Sequence, residues 1–190
     1  MKHRIIWAVA ALVVLTACTK EEKNPVNSNV IAKASMGCTL KVATEALNSF
    51  DFFVKYYDAD GKEKSEQVVD WKDSKENLTS LYLSQPAKEW TKTVAVTKFP
   101  ATLGLFFEAK PKDGIDTNAA YEWLWSYRRV FNTTNAAGGV LYSDPNLGSE
   151  SHFAVLEGKL EEDFNAGRGR LLNIIYTIQG DGTITTSKWQ

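Results

Sequence analysis

The sequence predicts a mostly-β fold in which two antiparallel sheets form a sandwich. Two observations support this. Apolar and polar residues alternate with a period of two over much of the chain, as they do in strands with one buried face. Glycine and proline residues separate these alternating segments at short intervals, as turns do between antiparallel strands. With 44% hydrophobic and 24% charged residues, the chain has the composition of a folded globular protein.

The first strands are predicted in the N-terminal half. Residues 38–44 and 50–56 alternate between apolar and polar side chains, so each segment is expected to bury one face. Residues 58–62 contain an Asp-Gly pair, which supplies the positive φ that a tight hairpin requires. Residues 65–71 are therefore expected to return as the next strand.

The remaining strands are predicted in the C-terminal part of the chain. They cover residues 90–97, 102–110, 121–131, 139–143, 171–179 and 183–189. A Phe-Pro pair at 99–100 separates the first two, and a Gly-Asp-Gly turn at 180–182 joins the last two as a hairpin.

One segment departs from the period of two. Leu156, Leu160 and Phe164 are spaced four apart, with charged residues between them, and Gly167 follows where a helix would end. We therefore expect one short amphipathic helix near the C-terminal third. It would connect two strands and cover one edge or end of the sandwich.

The N-terminus predicts a secretory signal peptide at residues 1–17. The basic residues Lys2 and Arg4 precede an uncharged apolar run at 5–17. This run is too short to span a membrane, which takes about 20 residues, but it fits the apolar region of a signal peptide. Cleavage after it would remove two basic residues and leave a more acidic chain.

The apolar run ends in Leu15-Thr16-Ala17-Cys18. This motif resembles the lipobox of bacterial lipoproteins, an aliphatic residue and two small residues before a cysteine. The resemblance implies that a diacylglyceryl group is attached to the sulfur of Cys18, that cleavage occurs before Cys18, and that the new amino terminus is acylated. Several acyl chains on one residue anchor a protein stably, because each buried methylene contributes about 0.8 kcal/mol. The alternative is a plain signal peptide followed by a chance cysteine.

Lys20, Glu21 and Glu22 follow the lipobox directly. They resemble the export signal of surface-exposed lipoproteins in Bacteroidetes-type bacteria. The resemblance implies an outer-membrane protein, anchored through Cys18, whose domain faces the cell exterior. The alternative is a polar tether on the periplasmic face of that membrane.

The chain is expected to have three parts: a signal peptide (1–17), a lipidated flexible tether (18–33) and a single sandwich domain (34–190). The domain resembles immunoglobulin-like sandwiches in its succession of alternating segments and turns, a likeness that does not assign a function.

Composition argues against several activities. The formal net charge of −1 does not suit binding by phosphate neutralisation, so no nucleic-acid partner is expected. Beyond Cys18, the chain holds one further cysteine, Cys38, and after the signal peptide one histidine, His152. They are too few for a zinc site, and no phosphate loop, dinucleotide motif or nucleophile elbow is present. We expect no cofactor, no metal and no catalysis, and we expect Cys38 to be an inert core residue.

Aromatic residues provide the candidates for ligand binding. Tyr121 to Tyr127 place an aromatic side chain at every second position, so these rings share one face of a strand. That face either packs into the core, as the more apolar face of a strand normally does, or stacks on sugar rings or a partner. Two further tryptophans have polar neighbours and are expected to be partly exposed. The candidate binding residues are Trp71, Trp90, Trp123 and Trp125.

These observations together predict a non-catalytic binding or adhesion module at the cell surface, with a glycan or a protein as its ligand. One alternative is a structural or assembly partner of an envelope complex, which would use an exposed strand edge or an apolar patch. The other is a carboxylate-based hydrolase, because two acidic residues that are distant in sequence can converge in the fold.

Overall fold

The structure is a computed structural model that describes residues 29–146, 148 and 150–190. The predicted signal peptide, the lipid site at Cys18 and the export signal Lys20, Glu21 and Glu22 lie outside these residues. The described chain contains, in order, β1 (Lys33–Ala43), α1 (Ala46–Ser49), β2 (Phe50–Tyr57), β3 (Glu63–Gln67), β4 (Lys72–Asp73), β5 (Leu78–Thr79), β6 (Ser84–Gln85), β7 (Ala87–Val96), β8 (Ala101–Pro111), β9 (Tyr121–Thr134), β10 (Val140–Asn146), β11 (Glu150–Val155), α2 (Leu160–Asn165), β12 (Arg170–Ile178) and β13 (Ile184–Ser187).

Two antiparallel sheets form the fold. Sheet A has the strand order β10-β9-β1-β7-β4, and β11 pairs with the other half of β9. Sheet B has the order β13-β12-β8-β2-β3. Strands β5 and β6 form a separate two-stranded hairpin. The structure therefore confirms the mostly-β, antiparallel sandwich.

The core between the sheets is rich in aromatic side chains. The predicted alternation holds in β1 and β2, where every second residue is buried. Trp123 stacks on Phe153 with ring centroids 4.3 Å apart, and Phe131 stacks on Tyr176 at 3.9 Å. Large rings from both sheets thus fill one continuous core.

The predicted strand at 65–71 is wrong in its second half. Strand β3 ends at Gln67. The N–H of the buried Val68 still donates to the carbonyl of Phe52 at 2.8 Å, but a tight turn follows, in which the backbone N–H of Trp71 donates to the carbonyl of Val69. The chain then crosses from sheet B to sheet A, where it forms β4. The short strands β4, β5 and β6 are two residues long, which is too short for a periodic pattern to reveal them.

The predicted helix exists, but it begins later than its spacing suggests. Helix α2 starts at Leu160, because Gly158 has a φ of +71° and cannot belong to a helical turn. Leu156 consequently lies outside the helix and is 73% exposed. A second helix, α1, is a single turn at 46–49 that the sequence pattern does not indicate.

A buried arginine interrupts the aromatic core. Arg129 is 5% exposed, and its guanidinium donates to the hydroxyl of Tyr176. It also pairs with the carboxylate of Asp144 at 3.3 Å, and the Tyr176 hydroxyl donates to the same carboxylate. A buried cation requires such a partner, because its desolvation is otherwise uncompensated.

The C-terminal residues lie across the outer face of sheet B. The backbone of Trp189 makes two hydrogen bonds with the Asn173 side chain, at 2.7 and 2.9 Å. The indole stacks on Tyr57 with centroids 5.4 Å apart and donates to Glu63 at 3.1 Å. It rests directly on Gly104, where a Cβ atom would lie 2.3 Å from the ring.

Gly104→Ala is therefore expected to displace Trp189 and to lower the free energy of unfolding by about 1–3 kcal/mol. The matched control is Gly37→Ala, whose Cβ would lie 3.4 Å from its nearest neighbour, the Thr93 hydroxyl; its effect should stay below about 1 kcal/mol. Urea unfolding measures both. Equal effects of the two variants, or an undiminished cost of Gly104→Ala in a Trp189→Ala background, would contradict this account.

Candidate ligand-binding site

The structure divides the four candidate tryptophans into two pairs. Trp123 is 2% exposed and belongs to the core. Trp125 points to the same side of β9, where it is half-buried and stacks on Tyr127 with centroids 5.9 Å apart. The aromatic face of β9 thus packs inward, and it presents no platform of exposed rings.

Trp71 and Trp90, in contrast, line the same pocket. This edge pocket has a volume of about 670 Å³ and lies where the chain crosses from β3 in sheet B to β4 in sheet A. Both indoles are half-buried. The residues that determine its chemistry are Trp71, Trp90, Lys92, Glu66, Asp70 and Glu89.

Trp71 is held by the crossing segment and by the core. Its backbone N–H donates to the carbonyl of Val69 at 3.0 Å, in a tight turn that follows the buried Val68. Its ring lies 5.5 Å from that of Phe52, at an interplanar angle of 79°. The core therefore fixes one side of the indole while another part borders the pocket.

Trp90 is held in the same way from sheet A. It lies on β7 opposite Leu40 of β1, and its ring is perpendicular to Phe107 at 5.3 Å. Strand β4 pairs with β7 only at Lys88 and Glu89. Beyond Glu89 this edge of β7 is not covered by β4, and the edge pocket forms there.

Lys92 supplies an internal cation at the base of the edge pocket. Its ammonium donates to the hydroxyl of Tyr56 at 2.9 Å, pairs with Glu66 at 3.2 Å, and lies 4.1 Å from the Tyr56 ring centroid. Burial lowers the pKa of Lys92, but the hydrogen bonds to Tyr56 and Glu66 outweigh it and hold that pKa above its usual value. Lys92 thus stays protonated and compensates the charge of Glu66.

The carboxylates of Glu89 and Asp70 provide hydrogen-bond acceptors at the rim of the edge pocket. Glu89 lies opposite Lys72 in the register of β7 and β4, and Asp70 is exposed. Two indoles beside several carboxylates offer both apolar ring surface and acceptors for hydroxyl groups. This combination suits a ligand with an apolar face and a polar rim.

A second cavity adjoins the edge pocket. This cross-strand groove has a volume of about 500 Å³ and lies on the outer face of sheet A. Glu89 and Thr91 line both cavities. The groove contains polar and charged side chains from four strands of the sheet, including Thr39, Lys41, Ser126, Arg128 and Glu150.

The segment that begins with Glu76 forms one wall of the groove. The carboxylate of Glu150 accepts hydrogen bonds from the N–H of Thr79 at 2.9 Å and from its hydroxyl at 3.4 Å. Lys41 pairs with Glu76 at 3.5 Å. These contacts fix the segment against the face of sheet A.

The other groups that the sequence analysis considered lie outside both cavities. Cys38 is a free, buried thiol, and burial raises its pKa to about 12, which agrees with an inert core residue. His152 is exposed on β11, and its Nε2 lies 2.7 Å from a carboxylate oxygen of Glu122. In residues 29–146, 148 and 150–190, no group of three or more His, Cys, Asp or Glu side chains could hold a metal ion.

None of the helices in the described part of the chain is long and apolar enough to cross a membrane. Comparisons with known protein families, with curated proteins and with solved structures find no match for this chain. The chemistry of the two cavities is therefore the basis for a functional proposal.

Glu150→Ala is expected to release the wall of the groove. Loss of a charge-assisted hydrogen bond of about 1.5 kcal/mol should accelerate amide hydrogen exchange at Thr79 roughly tenfold, while global stability changes by less than about 1 kcal/mol because the site is exposed. Glu150→Gln is the control, since its amide oxygen can still accept from Thr79. Unchanged exchange at Thr79 in Glu150→Ala would show that this contact does not fix the wall.

Proposed function

We propose that the protein is a non-catalytic binding module of the bacterial cell surface and that it binds a glycan at the edge pocket. One observation carries the proposal: Trp71 and Trp90, distant in sequence, both line one open pocket together with carboxylates. A sugar ring has an apolar C–H face and a rim of hydroxyl groups. Indole rings and carboxylates complement these two parts separately.

The face of the Tyr56 ring is not free for a ligand. Such a ring face attracts cations by cation–π interaction. The ammonium of Lys92 already lies there, 4.1 Å from the ring centroid. What remains for a ligand is indole surface and hydrogen-bonding groups.

Trp71→Ala and Trp90→Ala are each expected to lower glycan affinity by about tenfold or more, since buried aromatic anchors contribute about 2 kcal/mol or more at binding sites. A glycan array with the unlipidated protein identifies the ligand, and calorimetry measures each affinity. The control is Trp189→Ala, which removes a half-buried indole from sheet B and should leave binding intact. Binding to no glycan, or binding that both pocket variants retain, would overturn the proposal.

The location at the cell surface rests on the N-terminal motifs. The resemblance of Leu15-Thr16-Ala17-Cys18 to a lipobox supports a lipid anchor in the outer membrane. The resemblance of Lys20, Glu21 and Glu22 to an export signal supports exposure to the exterior, with the periplasmic face as the alternative.

Cys18→Ser is expected to abolish metabolic labelling with a clickable fatty acid and to release the protein from the membrane fraction, because acyl chains would be its anchor. Cys38→Ser is the control and should keep both the label and the membrane association. Protease treatment of intact cells then separates the exterior from the periplasmic face. A Cys18→Ser protein that still carries the label would contradict lipidation at this residue.

Strand addition in an envelope complex has weaker support. Val140 and Tyr142 are exposed on the edge strand β10, as a site of strand addition would require. However, the register of β10 shifts between these two residues, and Pro145 has no N–H to donate. Both features protect an edge against pairing.

A carboxylate-based hydrolase remains the third alternative, and release of reducing ends from the bound glycan would reveal it.

A further inference from the structure

We propose that the ligand is an extended, uncharged glycan chain that continues from the edge pocket into the cross-strand groove, so that the protein recognises several consecutive sugar units and not a single terminal one. This inference rests on the proposed function, because it takes the edge pocket as the first sugar subsite. It assigns a role to the outer face of sheet A, which the sequence does not single out.

The two cavities adjoin along β7. Side chains alternate along β7: Glu89 and Thr91 point to the outer face of sheet A. Trp90 and Lys92 point inward. Glu89 and Thr91 line both cavities. A ligand that leaves the indoles therefore meets these two side chains next and passes over β7 onto the sheet.

The floor of the groove consists of polar side chains that follow one another across the sheet. The strand registers align two rows, Thr91–Thr39–Arg128 and Glu89–Lys41–Ser126, from β7 through β1 to β9. Because neighbouring strands are about 4.8 Å apart, each row extends over roughly 10 Å. The second row continues to Glu150, which lies opposite Ser126 on β11.

These rows run perpendicular to the strands and lead away from the edge pocket. The Thr39 and Thr91 hydroxyls lie 3.2 Å apart, so the floor begins with two groups that both donate and accept hydrogen bonds. The wall that Glu150 and Thr79 fix closes one side of the groove. An extended ligand thus has one defined direction across the face of the sheet.

The groove differs from the edge pocket in what it offers a ligand. Its floor rows hold hydroxyl, carboxylate, ammonium and guanidinium groups. Tyr127 also lines the groove, but its ring belongs to the inward-facing side of β9 and stacks on Trp125. The groove can therefore add hydrogen bonds to hydroxyl groups of further sugar units, but it cannot anchor a chain by stacking. Affinity should come first from the indoles and then rise with chain length.

The charges along this path disfavour an acidic polymer. Acidic side chains outnumber basic ones in the edge pocket, where Glu66, Asp70 and Glu89 face two lysines. They also outnumber them in the groove, where Lys41 and Arg128 are the cations among three glutamates. Uronate or sulfate groups would meet repulsion from these carboxylates. Hydroxyl groups meet acceptors instead.

The test measures affinity against chain length by calorimetry. The probes are size ladders of neutral gluco-, xylo- and manno-oligosaccharides, from monosaccharide to hexasaccharide, and oligogalacturonides as the acidic counterpart. For the wild-type protein, affinity for the matching neutral series should rise through the pentamer or hexamer. The oligogalacturonides should bind more weakly at every length.

Two groove variants locate the added units. Arg128→Ala and Thr39→Val should each lower hexasaccharide affinity by about fivefold or more and leave disaccharide affinity unchanged, whereas Trp71→Ala should weaken all lengths. The control Arg170→Ala removes an exposed arginine from sheet B and should change neither. Circular dichroism confirms that each variant is folded.

Four other outcomes would contradict the inference, and they are distinguishable. Affinity that does not depend on length would show that the ligand ends at the edge pocket. Length dependence that both groove variants retain would show that the chain leaves the edge pocket by another path. Preference for the oligogalacturonides through Trp71 would show that the chain is acidic. In these three cases the proposed function stands. Binding that does not depend on Trp71 or Trp90 would overturn the proposed function as well.

Discussion

The packing of aromatic rings between the two sheets is the interaction on which the rest of the molecule depends. Phe52 and Phe107 fill the core, and the same two rings hold Trp71 and Trp90 at right angles at the edge of the sandwich. Burial of apolar surface that stabilises the fold therefore also orients the indoles. The edge pocket is preorganised to the extent that the core is rigid.

The alternation of inward and outward side chains along β9 also places a charge inside that core. Arg129 lies two residues from Tyr127 and from Phe131 on β9, so its side chain must point to the same side as theirs. Asp144 on β10 and Tyr176 on β12 compensate it, which links the edge of sheet A to sheet B. The inward-facing side of β9, which the sequence predicts to be aromatic, thus also contains one arginine.

The sequence predicts the fold well where a pattern is long enough to have a period. The segment 50–56 matches β2 to within one residue, because one buried face determines both the pattern and the strand. The start of α2 depends on the φ of Gly158, and the end of β3 on the tight turn at residues 69–71. Neither is part of a periodic pattern.

For the candidate site, polar neighbours indicate that Trp71 and Trp90 are partly exposed, and both are half-buried. Their convergence, and the rows that join Thr39 to Arg128, result from strand order and register. No local pattern encodes these.

The direction of β1 gives the molecule a polarity. The strand starts at Lys33 and reaches the floor of the groove at Thr39 and Lys41, six and eight positions later, or about 20–26 Å along the strand. If the chain is attached through the residues before Lys33, the cross-strand groove thus lies at this distance along β1 from the attached end. For the proposed surface location, that distance would favour capture of polymers that diffuse in from outside over contact with the membrane itself.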